Sequence, residues 1–159
     1  MREEFKKTLV ELAEKDDRII FLGGDAALPE FKERFPKRHI NVGVCEQSMI
    51  SLASGMAIEG LRPFVHSITP FILERPFEQV KIGLDQQNVP VILVGYDDYP
   101  KHGPTHTTLN AEGISKLFKN IKSYFPKNSQ ETREAIIDAY ESNGPAFIRL
   151  KRDKPYKKG

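Results

Sequence analysis

Residues 90–95, Pro-Val-Ile-Leu-Val-Gly, form a strand-length run with almost no polar side. A strand of that kind has no face to offer to water. It belongs in the middle of a parallel sheet, where helices cover both surfaces. The flanking segments fit that demand by alternating strand and helix signals. Phe5, Leu9, Leu12 and Ala13 mark a first helix, and a short buried strand follows at 18–22. Residues 39–44 read as a second strand, continuing to a helix that opens at Glu46. A third strand at 62–67 precedes a long helix carrying Leu73, Phe77, Val80 and Leu84 and ending near Gln87. After the apolar run come a Gly- and Pro-punctuated loop (96–106), a helical stretch to about Phe118 and a strand at 121–125. Asn128 and Glu131 have the spacing of a capping box, and residues 145–150 form the last strand. This order predicts an α/β fold: a doubly wound, mostly parallel sheet with helices on both faces and right-handed crossovers. Ligands of such sheets collect beyond the carboxyl ends of the strands. The segments expected there are 23–27, 44–46, 67–71 and 96–106.

A chain of 159 residues is long enough for one continuous core. The expected organisation is a single domain over residues 1–152 followed by a basic tail, 153–159. A net charge of +2 is close to balance and gives no reason to expect nucleic acid or a membrane surface as a partner. The one cysteine, Cys45, rules out an intrachain disulfide and fits a reducing, cytoplasmic compartment. The first fifteen residues are charged and amphipathic, unlike a secretory leader, and no apolar run approaches a membrane span.

Among residues that carry chemistry, Glu46 stands out. It lies between an apolar stretch, 40–45, and a helix whose Met49, Leu52, Ala53, Met56 and Ala57 repeat with helical period. Ser51, Ser54 and Gly55 make the rest of that helix small, and an interior glycine suggests the close approach of another backbone. A carboxyl group kept from water there can hold a proton near neutral pH and release it. The alternative is a helix N-terminal residue favoured by the macrodipole alone.

Other motifs are weaker. Gly23-Gly24-Asp25 matches neither a dinucleotide fingerprint nor a P-loop, so a tight turn competes with a phosphate cradle. His102 and His106 are four apart, but Gly103 and Pro104 interrupt any helix between them, so a metal pair is not expected. A rigid loop aiming His106 from the sheet edge competes there with simple exposure. Cys45 has no nearby cation and is expected as a small buried side chain rather than a nucleophile. His66 ends a strand at the same edge, and Phe71 begins a helix there or serves the core.

Taken together, VGVCEQSMISLASGMAIEGLRPFV (42–65), FILERPFEQV (71–80), HGPTH (102–106) and GPAFIRLKR (144–152) resemble the pyrimidine-binding domain of transketolase-type, thiamine-diphosphate-dependent enzymes. Deoxyxylulose-phosphate synthases share this domain, and Gly24–Ala27 is similar to their matching loop. The resemblance spans nearly the whole chain with its motifs in order. It implies that Glu46 contacts a ring nitrogen of the cofactor's aminopyrimidine, that Phe71 stacks on that ring, and that His106 faces substrate oxygens. Arg75 falls on the family's arginine and is carried as a cofactor contact. Asp25, His66 and His102 are carried with His106 as substrate contacts.

Two departures qualify the resemblance. The family usually has an acidic residue directly before GPTH, where this chain has His102. The family's diphosphate- and magnesium-binding domain carries a GDG motif and a downstream Asn, and this chain has neither. The implied activity is therefore two-carbon ketol or acyl transfer between sugar-type or keto-acid substrates, phosphorylated or otherwise activated. It is expected only with a separate subunit supplying the diphosphate and Mg2+ sites, most simply as a heterotetramer. A non-catalytic scaffold or regulatory partner is the alternative, with His102 as its one hint.

Overall fold

The computed structural model describes residues 1–152, so the basic tail expected at 153–159 lies outside the described residues. In chain order the main elements are α1 (Arg2–Ala13), β1 (Ile19–Gly23), α2 (Pro29–Arg34), β2 (His39–Asn41) and α3 (Glu46–Ile58). These are followed by β3 (Arg62–Ile68), α4 (Thr69–Leu73), α5 (Phe77–Gln79) and β4 (Ile92–Tyr96). The remainder is α6 (Ala111–Ser115), β5 (Lys122–Tyr124), α7 (Ser129–Glu141) and β6 (Ala146–Leu150).

The six strands form one sheet in the order β2-β1-β3-β4-β6-β5, with every pairing parallel. Strand alternation divides the core into two layers. Leu22, Val65, Leu93 and Phe147 lie side by side in register and pack with Met49, Ile50 and Ala53 of α3 and Ile72 of α4. One residue earlier, Phe21, Phe64 and Ile92 face the other way, against Phe5 and Leu9 of α1, Phe31 of α2 and Ile136 of α7. Burying each of these large side chains stabilises the fold by about 2 kcal/mol. The apolar run at 90–95 occupies the middle of this arrangement as β4, between β3 and β6. Helices thus cover both faces, as the sequence predicts.

Several local expectations need correction. The strand expected at 39–44 stops at Asn41, because Gly43 takes φ +71° and turns the chain. Val44 is consequently 65% exposed, and Cys45 is exposed rather than buried. The long helix expected to end near Gln87 is broken: α4 ends at Leu73, Pro76 starts the next turn, and α5 continues as a π-helical segment, Val80–Asp85. Proline removes a backbone donor and crowds the preceding turn, which accounts for the break. The helical stretch expected to reach Phe118 is only the short α6. On α3 the buried residues are Glu46, Met49, Ile50, Ala53, Ser54 and Ala57, so Leu52 turns outward. Gly55 faces open space; the close backbone approach occurs one residue earlier, where the Ser54 hydroxyl donates to the Gly83 carbonyl at 2.7 Å. Half of the capping box forms: Asn128 Oδ1 accepts from the Glu131 amide, while the Glu131 carboxylate accepts from the Lys127 amide one residue before the cap.

Candidate functional site

A cleft of about 580 Å3 opens at the carboxyl ends of β1, β3 and β4. Its first wall is the turn after β1. The Gly24 amide donates to the His66 carbonyl, which extends the β1–β3 pairing into the turn. A Cβ at Gly23 would stand 2.0 Å from the Ala26 carbonyl oxygen, so the turn can close only around glycine. Asp25 sits at φ +53°, and its amide donates to Asn41 Oδ1 at 3.2 Å. The same oxygen accepts from the Gly43 amide at 3.0 Å, so Asn41 joins the turn after β1 to the turn after β2.

Glu46 is the first residue of α3 and is 3% exposed. Its charge suits the positive end of the helix dipole. The carboxylate is dry but not isolated: Arg75 Nη1 stands 2.9 Å from both Oε1 and Oε2. The same guanidinium lies over the Phe71 ring, 3.7 Å from its centroid. Phe71 belongs to α4, and Arg75 stands just beyond that helix's C-cap, Glu74, its amide bonded to the Pro70 carbonyl. The His106 ring meets Phe71 edge-on at 4.9 Å, so Glu46, Arg75, Phe71 and His106 form a continuous chain of contacts.

His66 is buried within β3, and its ring packs against Tyr96 at 4.1 Å. Its Nδ1 lies 2.9 Å from the Val94 carbonyl, an oxygen that can only accept, so Nδ1 carries the hydrogen. Burial pushes the imidazole pKa down to about 4, keeping it neutral with Nε2 as an acceptor.

The opposite wall is the loop after β4. Both Asp98 carboxylate oxygens are engaged by Thr108, one by its amide and one by its hydroxyl, each at 3.0 Å. Arg149 of β6 stands 3.5 Å from Asp98. The Leu109 amide donates to Glu74 at 2.9 Å, and the Tyr99 amide donates to the His106 carbonyl. These bonds fix the two ends of the histidine loop while leaving its tip open. There His102 is exposed, with its ring 5.3 Å from that of His106.

All seven residues singled out in the sequence, Asp25, Glu46, His66, Phe71, Arg75, His102 and His106, line this one cleft. Sequence reasoning missed Asn41, Asp98 and Glu74, which support the walls, and the Glu46–Arg75 pair. The Asp-Asp pair directly after β4 was the available signal for Asp98, since Asp and Asn side chains commonly tie loop backbones.

A family model described as "Transketolase, pyrimidine binding domain" matches residues 1–157. A 6-deoxy-6-sulfo-D-fructose transketolase subunit from Clostridium sp. (strain MSTE9) is 33% identical over 96% of this chain and 49% of its own length. A 1-deoxy-D-xylulose-5-phosphate synthase from Oleidesulfovibrio alaskensis is 36% identical over 94% of this chain and 24% of its own length. Among solved structures, one titled "Split gene transketolase, inactive beta4 tetramer" superposes with a TM-score of 0.86 at 26% identity. It covers 98% of this chain and 52% of the other. The chain thus spans about half the length of its subunit-sized relatives and a quarter of the synthase.

Proposed function

This chain belongs to the transketolase pyrimidine-binding family, and from that premise we propose that it supplies the pyrimidine half of a thiamine diphosphate site shared with a second subunit. One observation carries the proposal. A carboxylate almost fully withdrawn from water stands at the start of α3, joined through one arginine to an aromatic ring lining the same cleft. A flat ring face and a buried carboxylate suit a flat, nitrogen-rich heterocycle, and about 580 Å3 is ample for a pyrimidine.

In this reading Glu46 holds the ring nitrogen and carries the proton that adjusts the ring's tautomer, a task suited to a carboxyl group shielded from bulk water. Phe71 orients the ring by stacking, and Arg75 borders the seat that Phe71 forms with Glu46. His106, braced against Phe71, faces substrate oxygens and moves protons there. His102 contacts substrate from the open tip of the loop, while Asp25 and neutral His66 contact it from the β1 side. When bound, thiamine diphosphate supplies the carbon nucleophile that carries the transferred unit. The reaction is two-carbon ketol or acyl transfer between sugar-type or keto-acid substrates. The relatives named as transketolase subunits support a partner subunit; in this reading that partner binds the diphosphate and Mg2+, and the two kinds of chain form a heterotetramer in the cytoplasm. This chain lacks the GDG motif for that task and is expected to be inactive alone.

The test is to combine the chain with that partner and measure ketol transfer dependent on thiamine diphosphate. Full activity in Glu46→Ala would reject the reading. His102, standing where the family usually has an acidic residue, favours a second reading in which the chain is a non-catalytic scaffold. Calorimetry separates the two: the scaffold reading requires that the assembled complex take up no thiamine diphosphate in the presence of Mg2+.

A further inference from the structure

We propose that Arg75 occupies the pyrimidine seat in the free chain and competes with the cofactor for it, which makes Arg75 an affinity-determining residue of the site. The inference rests on the reading of Glu46 and Phe71 as the ring's two contacts. Both are already engaged, and by the same side chain. Arg75 Nη1 is 2.9 Å from each Glu46 oxygen, so it lies between them, on the side from which one donor reaches both. Its guanidinium plane carries delocalised charge, as an amidine-like heterocycle does, and sits 3.7 Å above the Phe71 centroid.

A planar, nitrogen-bearing cation, stacked on Phe71 and bonded to Glu46, therefore reproduces the two contacts expected of an aminopyrimidine. It does so from an internal position and at high effective concentration. An incoming ring must displace the guanidinium from the carboxylate, and the side chain has room to leave because it is about a third exposed. The arrangement also protects the free chain. Without Arg75, Glu46 would be a buried carboxylate with no ionic partner, a state that costs stability.

The experiment uses the complex of this chain with its diphosphate-binding partner, titrated calorimetrically with thiamine diphosphate in excess Mg2+. Arg75→Met removes the competitor and is expected to bind about tenfold more tightly than wild type. Arg75→Lys keeps an ionic partner for Glu46 but loses the planar stack, and is expected to fall between them. Unchanged or weaker binding in both variants, with thermal melting confirming that they fold, would overturn the inference. Glu46→Gln and Phe71→Ala are titrated in parallel. If neither weakens binding, or if the wild-type complex binds nothing, the underlying reading fails and this inference with it. If both weaken binding while Arg75→Met does not tighten it, only the competition is wrong. A second readout is independent of affinity. The Arg75 guanidinium resonances should show hindered rotation in the free chain and lose it when thiamine diphosphate is added to the complex. Hindrance that persists in the loaded complex would also overturn the proposal.

Discussion

The two walls of the cleft are built by opposite means. The wall formed by the turn after β1 and the start of α3 is set into the core: Glu46 is buried, Gly24 is bonded to β3, and Gly23 has no room for a Cβ. The facing wall is a surface loop held at its two ends by side-chain carboxylates, with His102 and Lys101 exposed at the tip. One wall depends on packing and cannot move without disturbing the sheet. The other depends on a few polar bonds, each worth about 1 kcal/mol, and can change its tip residues without touching the core. On the proposed function, Glu46 acts on the cofactor from the fixed wall, while His102 and His106 meet the substrate from the adaptable one. The departure at His102 falls on the adaptable side.

The largest expected effect tests the fixed wall. Gly23→Ala forces a Cβ against backbone and should destabilise the chain by about 3 kcal/mol or more, read by chemical denaturation. A loss below about 1 kcal/mol would mean that the turn yields as readily as the loop, and the contrast would collapse. Next comes Glu46→Ala. It should lower the thiamine-dependent rate of the assembled complex about 100-fold, equivalent to about 2.7 kcal/mol, measured as kcat/KM.

Acid should then weaken the fixed side through His66. Its folded pKa, about 4, lies below the ordinary value of 6.5, so the unfolded chain takes up the proton first. The stability contributed by neutral His66 is complete above pH 6.5 and is lost as pH falls toward 4. The expected contribution is a loss of about 2 kcal/mol by pH 5, and His66→Gln should flatten that slope in denaturation curves. Asp98→Ala, on the adaptable wall, should cost no more than about 2 kcal/mol of stability. It should also raise KM for the acceptor more than it lowers kcat, because it frees the loop that carries His106.

The difference between the walls also governs what was legible in the sequence. β4 and the alternation around it follow from apolar periodicity, so the sheet and its carboxyl edge could be read directly. Glu46 stood out because its helix is apolar and periodic, although the buried face of α3 includes Ile50 and Ser54 and leaves Leu52 outside. The break at Pro76 was written in the chain but outweighed by the periodicity of Leu73, Phe77, Val80 and Leu84. The supports of the adaptable wall left little trace. Asp98 and Glu74 act through bonds to the amides of residues 108 and 109, contacts spanning 10 and 35 residues that no local pattern encodes. The Arg75–Glu46 pair spans 29 residues and depends on how α4 ends rather than on any spacing.

Among the described residues the sheet ends at both margins in strands of only three residues, β2 and β5. An unpaired strand edge is a template on which further chains can polymerise, and its hazard grows with its length. Here each template is a single short rung at the end of a five-residue neighbour, and Lys122 places a charge on one of them. On the proposed function, the chain is thereby discouraged from growing laterally into fibres during the interval between synthesis and assembly with its partner.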